Sequence, residues 1–220
     1  MNDFVYPKYK TPSIDDPAVI ELAKTINEEQ ILSIPFEKKL LPLGNCYWNV
    51  EHVVKSHGGE VQYGWIFNLW ENILVEAMHH AVWKSPGGKL IDVTENYPMF
   101  SNTHIIFLPD NSSALNNLDV VPTIQNHFLR LSNDLNAQNF ITANRNKIDL
   151  LKHYQNALYN AGYRCEQHRE IASGVQSSPP KMNYNQLSAT DIKALKEIPQ
   201  MIQTIEAHLA AYISYLNQLD

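Results

Sequence analysis

The residues with the greatest chemical potential are one cysteine, two adjacent histidines and one aspartate in the first half of the chain. They are Cys46, His79, His80 and Asp92. Cys46 lies where a helix is predicted to begin, and unpaired amides and the positive end of a helix dipole favour a thiolate there. A thiolate that attacks an amide also needs a base and a proton donor for the leaving group. An imidazole oriented by a carboxylate supplies both.

The elements that must position these residues are predicted over residues 44–108. A helix begins at Asn45-Cys46 and stops at Gly58-Gly59. Four strands follow, in an antiparallel meander: 60–69, 73–83, 89–94 and 104–108. The second and third strands are joined by a hairpin turn, Ser85-Pro86-Gly87-Gly88. Because paired residues of adjacent strands lie about 5 Å apart, this turn brings Asp92 within reach of a histidine near position 81.

Three sequence segments resemble the papain-like superfamily in its transglutaminase-type topology. They are Asn45-Cys46, His80-Ala81-Val82-Trp83 and Leu90-Ile91-Asp92-Val93-Thr94. With Tyr63-Gly64-Trp65, they also resemble a group of small bacterial proteins that combine a Gly-Trp strand with His-Ala-Val-Trp and Asp-Val-Thr strands. The resemblance implies that Cys46 is the nucleophile, His80 the base and general acid, and Asp92 the orienting group. The cysteine lacks the flanking glycine and tryptophan of papain, so the resemblance does not imply a substrate class.

Only one of the two adjacent histidines can face the cysteine, because neighbouring side chains of a strand point to opposite faces. The match to the His-Ala-Val-Trp pattern favours His80. His79 is the alternative base.

An oxyanion hole requires a backbone amide and a second donor near the thiol. The amide of Cys46 at the helix start is the first donor. Asn45 and Asn49 are the nearest side-chain candidates for the second. Trp48 and Trp65 are candidates for lining a substrate groove, although burial in the core is the ordinary fate of such residues.

The rest of the chain is predicted to surround this α+β core, in which the cysteine-bearing helix packs on an antiparallel sheet. Residues 1–43 form an N-terminal arm and a short helix, residues 44–110 the Cys-His-Asp core, and residues 111–220 a mostly helical part packed on the core. Within the last part, we expect helices at 122–131 and 146–162, an exposed linker at 172–185, and a final helix from about 188 that Pro199 kinks or divides.

Composition excludes several classes of function. The chain has 220 residues, 44% of them hydrophobic, and a net charge of −6, with a pI of about 5.8. An acidic chain disfavours general nucleic-acid binding, and no apolar run approaches the roughly 20 residues of a membrane span. The N-terminus lacks a signal-peptide pattern, and two cysteines cannot form a disulfide framework. We therefore expect a cytoplasmic protein, with delivery into a host or neighbouring cell as an alternative.

The leading hypothesis is a cysteine-dependent enzyme that acts on an amide bond through an acyl-enzyme and needs no cofactor. Hydrolysis would make it a peptidase, an amidase or a glutamine deamidase acting on a protein, peptide or other amide, whereas release to an amine would make it a transglutaminase. One alternative is a zinc-binding protein with ligands from Cys46, His52, His57, His79 and His80. Another is a non-catalytic binding or immunity module, in which the amphipathic C-terminal helices bind a protein partner.

Overall fold

The computed structural model describes residues 5–95, 103–185 and 187–219. Within these residues the chain forms a mixed α+β structure, as the sequence predicts. The helices are α1 (Pro17–Ile26), α2 (Cys46–His57), α3 (Leu135–Asn160), α4 (Glu166–Ala172) and α5 (Ala189–Leu216). The strands are β1 (Tyr9–Lys10), β2 (Leu32–Leu41), β3 (Glu60–Trp70), β4 (Leu74–Lys84), β5 (Leu90–Thr94), β6 (His104–Pro109) and β7 (His127–Arg130).

Five of the strands close into a barrel-like sheet in the order β3-β6-β2-β5-β4, and β4 pairs back with β3. Strand β1 extends the sheet beside β3, and β7 extends it beside β4. The β2–β5 pair is parallel and the other pairs are antiparallel. A cluster of buried apolar side chains joins the strands of the barrel: Ile34, Ile66, Val82, Ile105 and Phe107.

Gly64 allows β3 and β6 to approach closely at one point of the barrel. A Cβ atom there would overlap the carbonyl oxygen of Leu108 and lie 2.5 Å from a ring carbon of Phe107. Atoms of this kind cannot yield without moving the backbone or a packed ring. The close approach of β3 and β6 therefore explains why a glycine precedes Trp65 in β3.

Helix α2 packs on the face of the sheet to which odd-numbered residues of β4 and β5 point. Val50 of α2 is completely buried against Ala81 and Val93. The helix ends at Gly58, whose φ of 73° suits glycine. This packing fixes the position of the first turn of α2, and hence of Cys46, relative to β4 and β5.

Helices α3 and α5 pack against each other and against the β3–β4 end of the sheet. Leu209, Ile213 and Leu216 of α5 are buried in a cluster that includes Phe140 of α3 and Trp70 of β3. At these positions, the apolar face of the C-terminal helix packs within the chain, and this part of it is not free to bind a protein partner. Helix α5 begins with a capping box between Ser188 and Asp191 and continues through Pro199 as one helix.

Several expected elements differ from the structure. Strand β2 is not among the predicted elements, and residues 1–43 therefore contribute a barrel strand as well as an arm and a helix. The helix expected at 122–131 is absent, and strand β7 lies there instead. Helix α3 begins at Leu135 rather than near residue 146. The expected meander is a closed sheet with one parallel pair, because β2 inserts between β5 and β6.

None of the helices in the described residues combines the length and apolar character needed to cross a bilayer.

Candidate active site

Cys46 is the first residue of α2 and is partly exposed. The side chain of the preceding residue, Asn45, accepts no capping hydrogen bond from the backbone amides of the first turn. The first amides of a helix have no partner within the helix. Those of α2 are therefore left without a side-chain cap from Asn45, in a position to stabilise negative charge at the helix start.

His80 and Asp92 form a buried pair. The Nε2 atom of His80 lies 3.0 Å from Oδ2 of Asp92, and the two residues are 7% and 2% exposed. The second carboxylate oxygen of Asp92 accepts a hydrogen bond from the amide of Thr94 at 3.0 Å. The carboxylate is thus oriented from both sides, and it orients the imidazole in turn.

Cys46 lies beside this pair: it shares the wall of one cavity with His80 and Asp92, and its sulfur interacts electrostatically with the His80 ring. Burial by itself lowers the pKa of His80, but the Asp92 carboxylate and the Cys46 sulfur outweigh it and raise the pKa well above its usual value. The structure therefore brings together the three residues that the sequence analysis selected, in the order Cys46, His80, Asp92.

His79 points to the other face of β4 from His80, the face on which α2 packs, and although it also borders the cavity, its ring has its own partners. Its Nδ1 lies 2.9 Å from the hydroxyl of Tyr47, and its Nε2 lies 2.9 Å from Oγ of Ser113. Burial, followed by the neighbouring His80, lowers its pKa to about 4. With both ring nitrogens engaged and the ring neutral at pH 7, His79 is poorly suited to take the proton of Cys46.

An open cavity of about 300 Å³ lies beside the thiol. Cys46, His80 and Asp92 lie in its wall with Thr94 and Asn126, and much of the remaining wall is apolar, with contributions from Leu43, Ile66, Met78, Pro122, Ile124 and Ile148. A small polar group surrounded by apolar walls is typical of substrate sites.

The two asparagines suggested as oxyanion donors serve the framework instead. The Nδ2 group of Asn45 donates to Oδ1 of Asn49 at 3.1 Å and to the carbonyl of His168 at 2.9 Å. The Nδ2 group of Asn49 donates to the carbonyl of Pro42 and to the hydroxyl of Thr94. Both asparagines are buried, and neither is among the residues that line the cavity.

The two tryptophans suggested as groove residues are buried as well. Trp48 stacks on His168 with ring centroids 3.9 Å apart, and its Nε1 donates to the carbonyl of Leu118. The Nε1 of Trp65 donates to Oδ2 of Asp110 at 2.8 Å. Like the asparagines, both are absent from the cavity wall. They support the elements that carry the site.

Three residues of the site were missed by the sequence analysis. Tyr47 holds His79, Asn126 faces the cavity, and Glu76 holds Asn126. Tyr47 has no sequence signal that distinguishes it from a core aromatic residue. Asn126 lies in a polar segment for which a helix was expected. Glu76 lies in a strand, and nothing near it in the sequence indicates that Asn126 is its hydrogen-bond partner. Only the pairing of β4 with β7 brings the last two together.

The residues proposed as zinc ligands do not assemble. Among the described residues, no group of three or more histidine, cysteine, aspartate or glutamate side chains is arranged to hold a metal ion. His57, at the last position of α2, lies edge-on to Trp83, with ring centroids 6.3 Å apart. It lies at the opposite end of the helix from Cys46, and His52 lies between them.

No family model, curated protein or solved structure matches this chain. The chemistry of the site must therefore be argued from its own geometry.

Proposed function

We propose that this protein is a cysteine-dependent enzyme that acts on an amide bond of a protein or peptide. The observation that carries the proposal is the His80–Asp92 pair, which lies with Cys46 in the wall of an open cavity. A surface cysteine without these neighbours would have no general acid available. In this arrangement the α2 helix, packed on the sheet, presents the nucleophile, and two strands present the other two groups.

The reaction begins with the Cys46 thiolate and the protonated His80. The sulfur attacks the amide carbonyl carbon, and the amide of Cys46 stabilises the resulting oxyanion. His80 then transfers its proton to the leaving nitrogen, the C–N bond breaks, and a thioester remains on Cys46. Water attacks the thioester while His80 accepts its proton. The acid is released, and the thiolate and the imidazolium are restored.

An amine that replaced water in the second half would give a new amide, as in a transglutaminase. Carbobenzoxy-Gln-Gly with and without hydroxylamine separates the two outcomes. Hydrolysis at the glutamine side chain releases ammonia without the amine, whereas transfer forms a hydroxamate that depends on hydroxylamine.

The rate at which iodoacetamide alkylates Cys46 tests the proposal without knowledge of the natural substrate. We expect Cys46 at pH 6.5 to react faster than glutathione, because His80 and Asp92 stabilise the ion pair that contains the thiolate. The His80→Ala variant should lose this advantage. The matched control is His79→Gln, which removes the adjacent histidine on the other face and should retain it.

Mass spectrometry of the intact protein measures these rates, and peptide mapping assigns the adduct to Cys46. If Cys46 reacts no faster than glutathione, or if His80→Ala and His79→Gln behave alike, the proposed thiolate–imidazolium mechanism is wrong.

A further inference from the structure

Asn126 presents a fixed amide to the cavity beside the thiol. Its Nδ2 group donates to Oε1 of Glu76 at 2.7 Å. Because Glu76 accepts from Nδ2, this contact determines which end of the amide faces Glu76. Asn126 lines the cavity, and within the part of the chain that the structure describes, its Oδ1 accepts no hydrogen bond from the protein.

Glu76 is an unusual residue at its position. It is 6% exposed, and burial raises its pKa, although its interactions with Tyr9 and Asn126 favour the charged form. Burying a carboxylate is costly unless it is hydrogen-bonded. An apolar residue would fill the same space without this cost, so the function of Glu76 must lie in what it holds.

The register of the sheet gives the approximate distance between Asn126 and the reacting group. Ala77 of β4 pairs with His127 of β7, which places Asn126 beside Met78. Met78 is two positions before His80, and two positions along a strand span about 7 Å. This is about the separation between alternate groups of an extended peptide.

We propose that Asn126, positioned by Glu76, binds a second amide group of the substrate, about 7 Å along the substrate from the bond that Cys46 attacks. The free Oδ1 accepts from the N–H of that group, and the remaining Nδ2 hydrogen donates to its carbonyl. The inference rests on the proposed function and restricts the class of substrate: the preferred substrate is a peptide rather than an isolated primary amide. The apolar walls around Asn126 then accommodate side chains of that peptide.

Two alkylating probes that differ only in the second amide test this assignment. N-(iodoacetyl)glycinamide carries the amide, and N-propyl iodoacetamide has carbon atoms in its place. The quantity measured is the ratio of their rates of reaction with Cys46, divided by the same ratio for glutathione. We expect a corrected ratio of about ten in the native protein, which one or two net hydrogen bonds provide.

The variants separate recognition from structural support. Asn126→Ala and the bulkier Asn126→Leu should bring the corrected ratio to about one. Glu76→Gln should lower the ratio, because a glutamine can donate as well as accept and no longer fixes the orientation of Asn126. Asn144→Ala, which removes an amide from α3 that is bonded to the carbonyl of Phe140, is the matched control and should keep the native ratio.

The outcomes distinguish this inference from the proposed function. If both probes alkylate Cys46 faster than glutathione but the corrected ratio is one, the recognition by Asn126 is wrong and the enzyme proposal stands. If neither probe reacts faster than glutathione, the proposed function itself fails. A ratio that survives in both Asn126 variants also overturns the assignment.

Discussion

The two adjacent histidines of β4 should respond to acid in opposite ways, and His79 gives a magnitude that can be measured. Its pKa is lowered to about 4 in the folded protein, whereas an unfolded histidine titrates near 6.5. As the pH falls below 6.5, His79 therefore binds a proton in the unfolded chain but not in the folded chain. Stability from His79 is complete above pH 6.5 and is lost between pH 6.5 and 4.

The hydrogen bonds around the ring explain the preference for the neutral form. The hydroxyl of Ser113 donates to the carbonyl of Asp110 at 2.8 Å, so its oxygen accepts from Nε2 of His79. The unprotonated Nδ1 then accepts from Tyr47, whose pKa is raised well above its usual value by burial and by Cys46. Both nitrogens of the 5% exposed ring are satisfied without a positive charge.

A shift from 6.5 to about 4 corresponds to about 3 kcal/mol of lost stability well below both values and to about 2 kcal/mol at pH 5. Urea unfolding at pH 7 and pH 5 measures it, with His79→Gln as the non-titrating comparison. The variant loses hydrogen bonds at both pH values. However, the free energy of unfolding of the native protein should fall by about 2 kcal/mol relative to the variant at pH 5.

Comparison with the variant is needed because His80 contributes with the opposite sign. Its raised pKa gives stability that is present below the unfolded value and is lost as the pH rises through the folded value. If the stability difference between the native protein and His79→Gln is the same at pH 7 and pH 5, the account of His79 is refuted.

Three further predictions concern the barrel and the thiols. Gly64→Ala should lower the free energy of unfolding by roughly 3 kcal/mol because its Cβ has no space, whereas Gly87→Ala, with the nearest atom 3.9 Å away, should change it little; equal urea midpoints would contradict this. Asp92→Asn should slow alkylation of Cys46 at pH 6.5 by about tenfold and move the pH–rate profile to higher pH, because the imidazolium loses its charge-assisted hydrogen bond; an unchanged profile would exclude that role. Cys165 should resist iodoacetamide at pH 7.5 until urea unfolds the chain, because it is buried and burial raises its pKa to about 11; two adducts on the folded protein would show otherwise.

The parts of the site that depend on local sequence features, such as turns, helix ends and strand alternation, could be predicted from the sequence. A hairpin turn at Ser85–Gly88 sets the order of β4 and β5 and allows Asp92 to reach a histidine of β4. Gly58 ends α2, and alternation along β4 requires His79 and His80 to face different ways. Each of these conclusions depends on residues close together in the sequence and on fixed backbone geometry.

Strand β2 could not be recognised in the same way. It contains Pro35 and the charged pair Lys38-Lys39, which weaken the pattern of a strand. Its residues 32–35 pair with β6, and Phe36 pairs in parallel with Asp92. These contacts join parts of the chain that are far apart in sequence, so only the closed barrel shows that the segment is a strand.

Local sequence signals indicate which residues could form a thiol site and which strand neighbours could meet, because turns, caps and the two-residue period of a strand are local properties. The tertiary structure decided what each polar side chain is free to do. It buried Asn45 and Asn49 in the framework, engaged both nitrogens of His79, and turned Asn126 toward the cavity with Glu76 behind it. The physical reason is that a hydrogen-bonding group can satisfy only a few partners, and those partners come from distant segments that meet only when the chain folds.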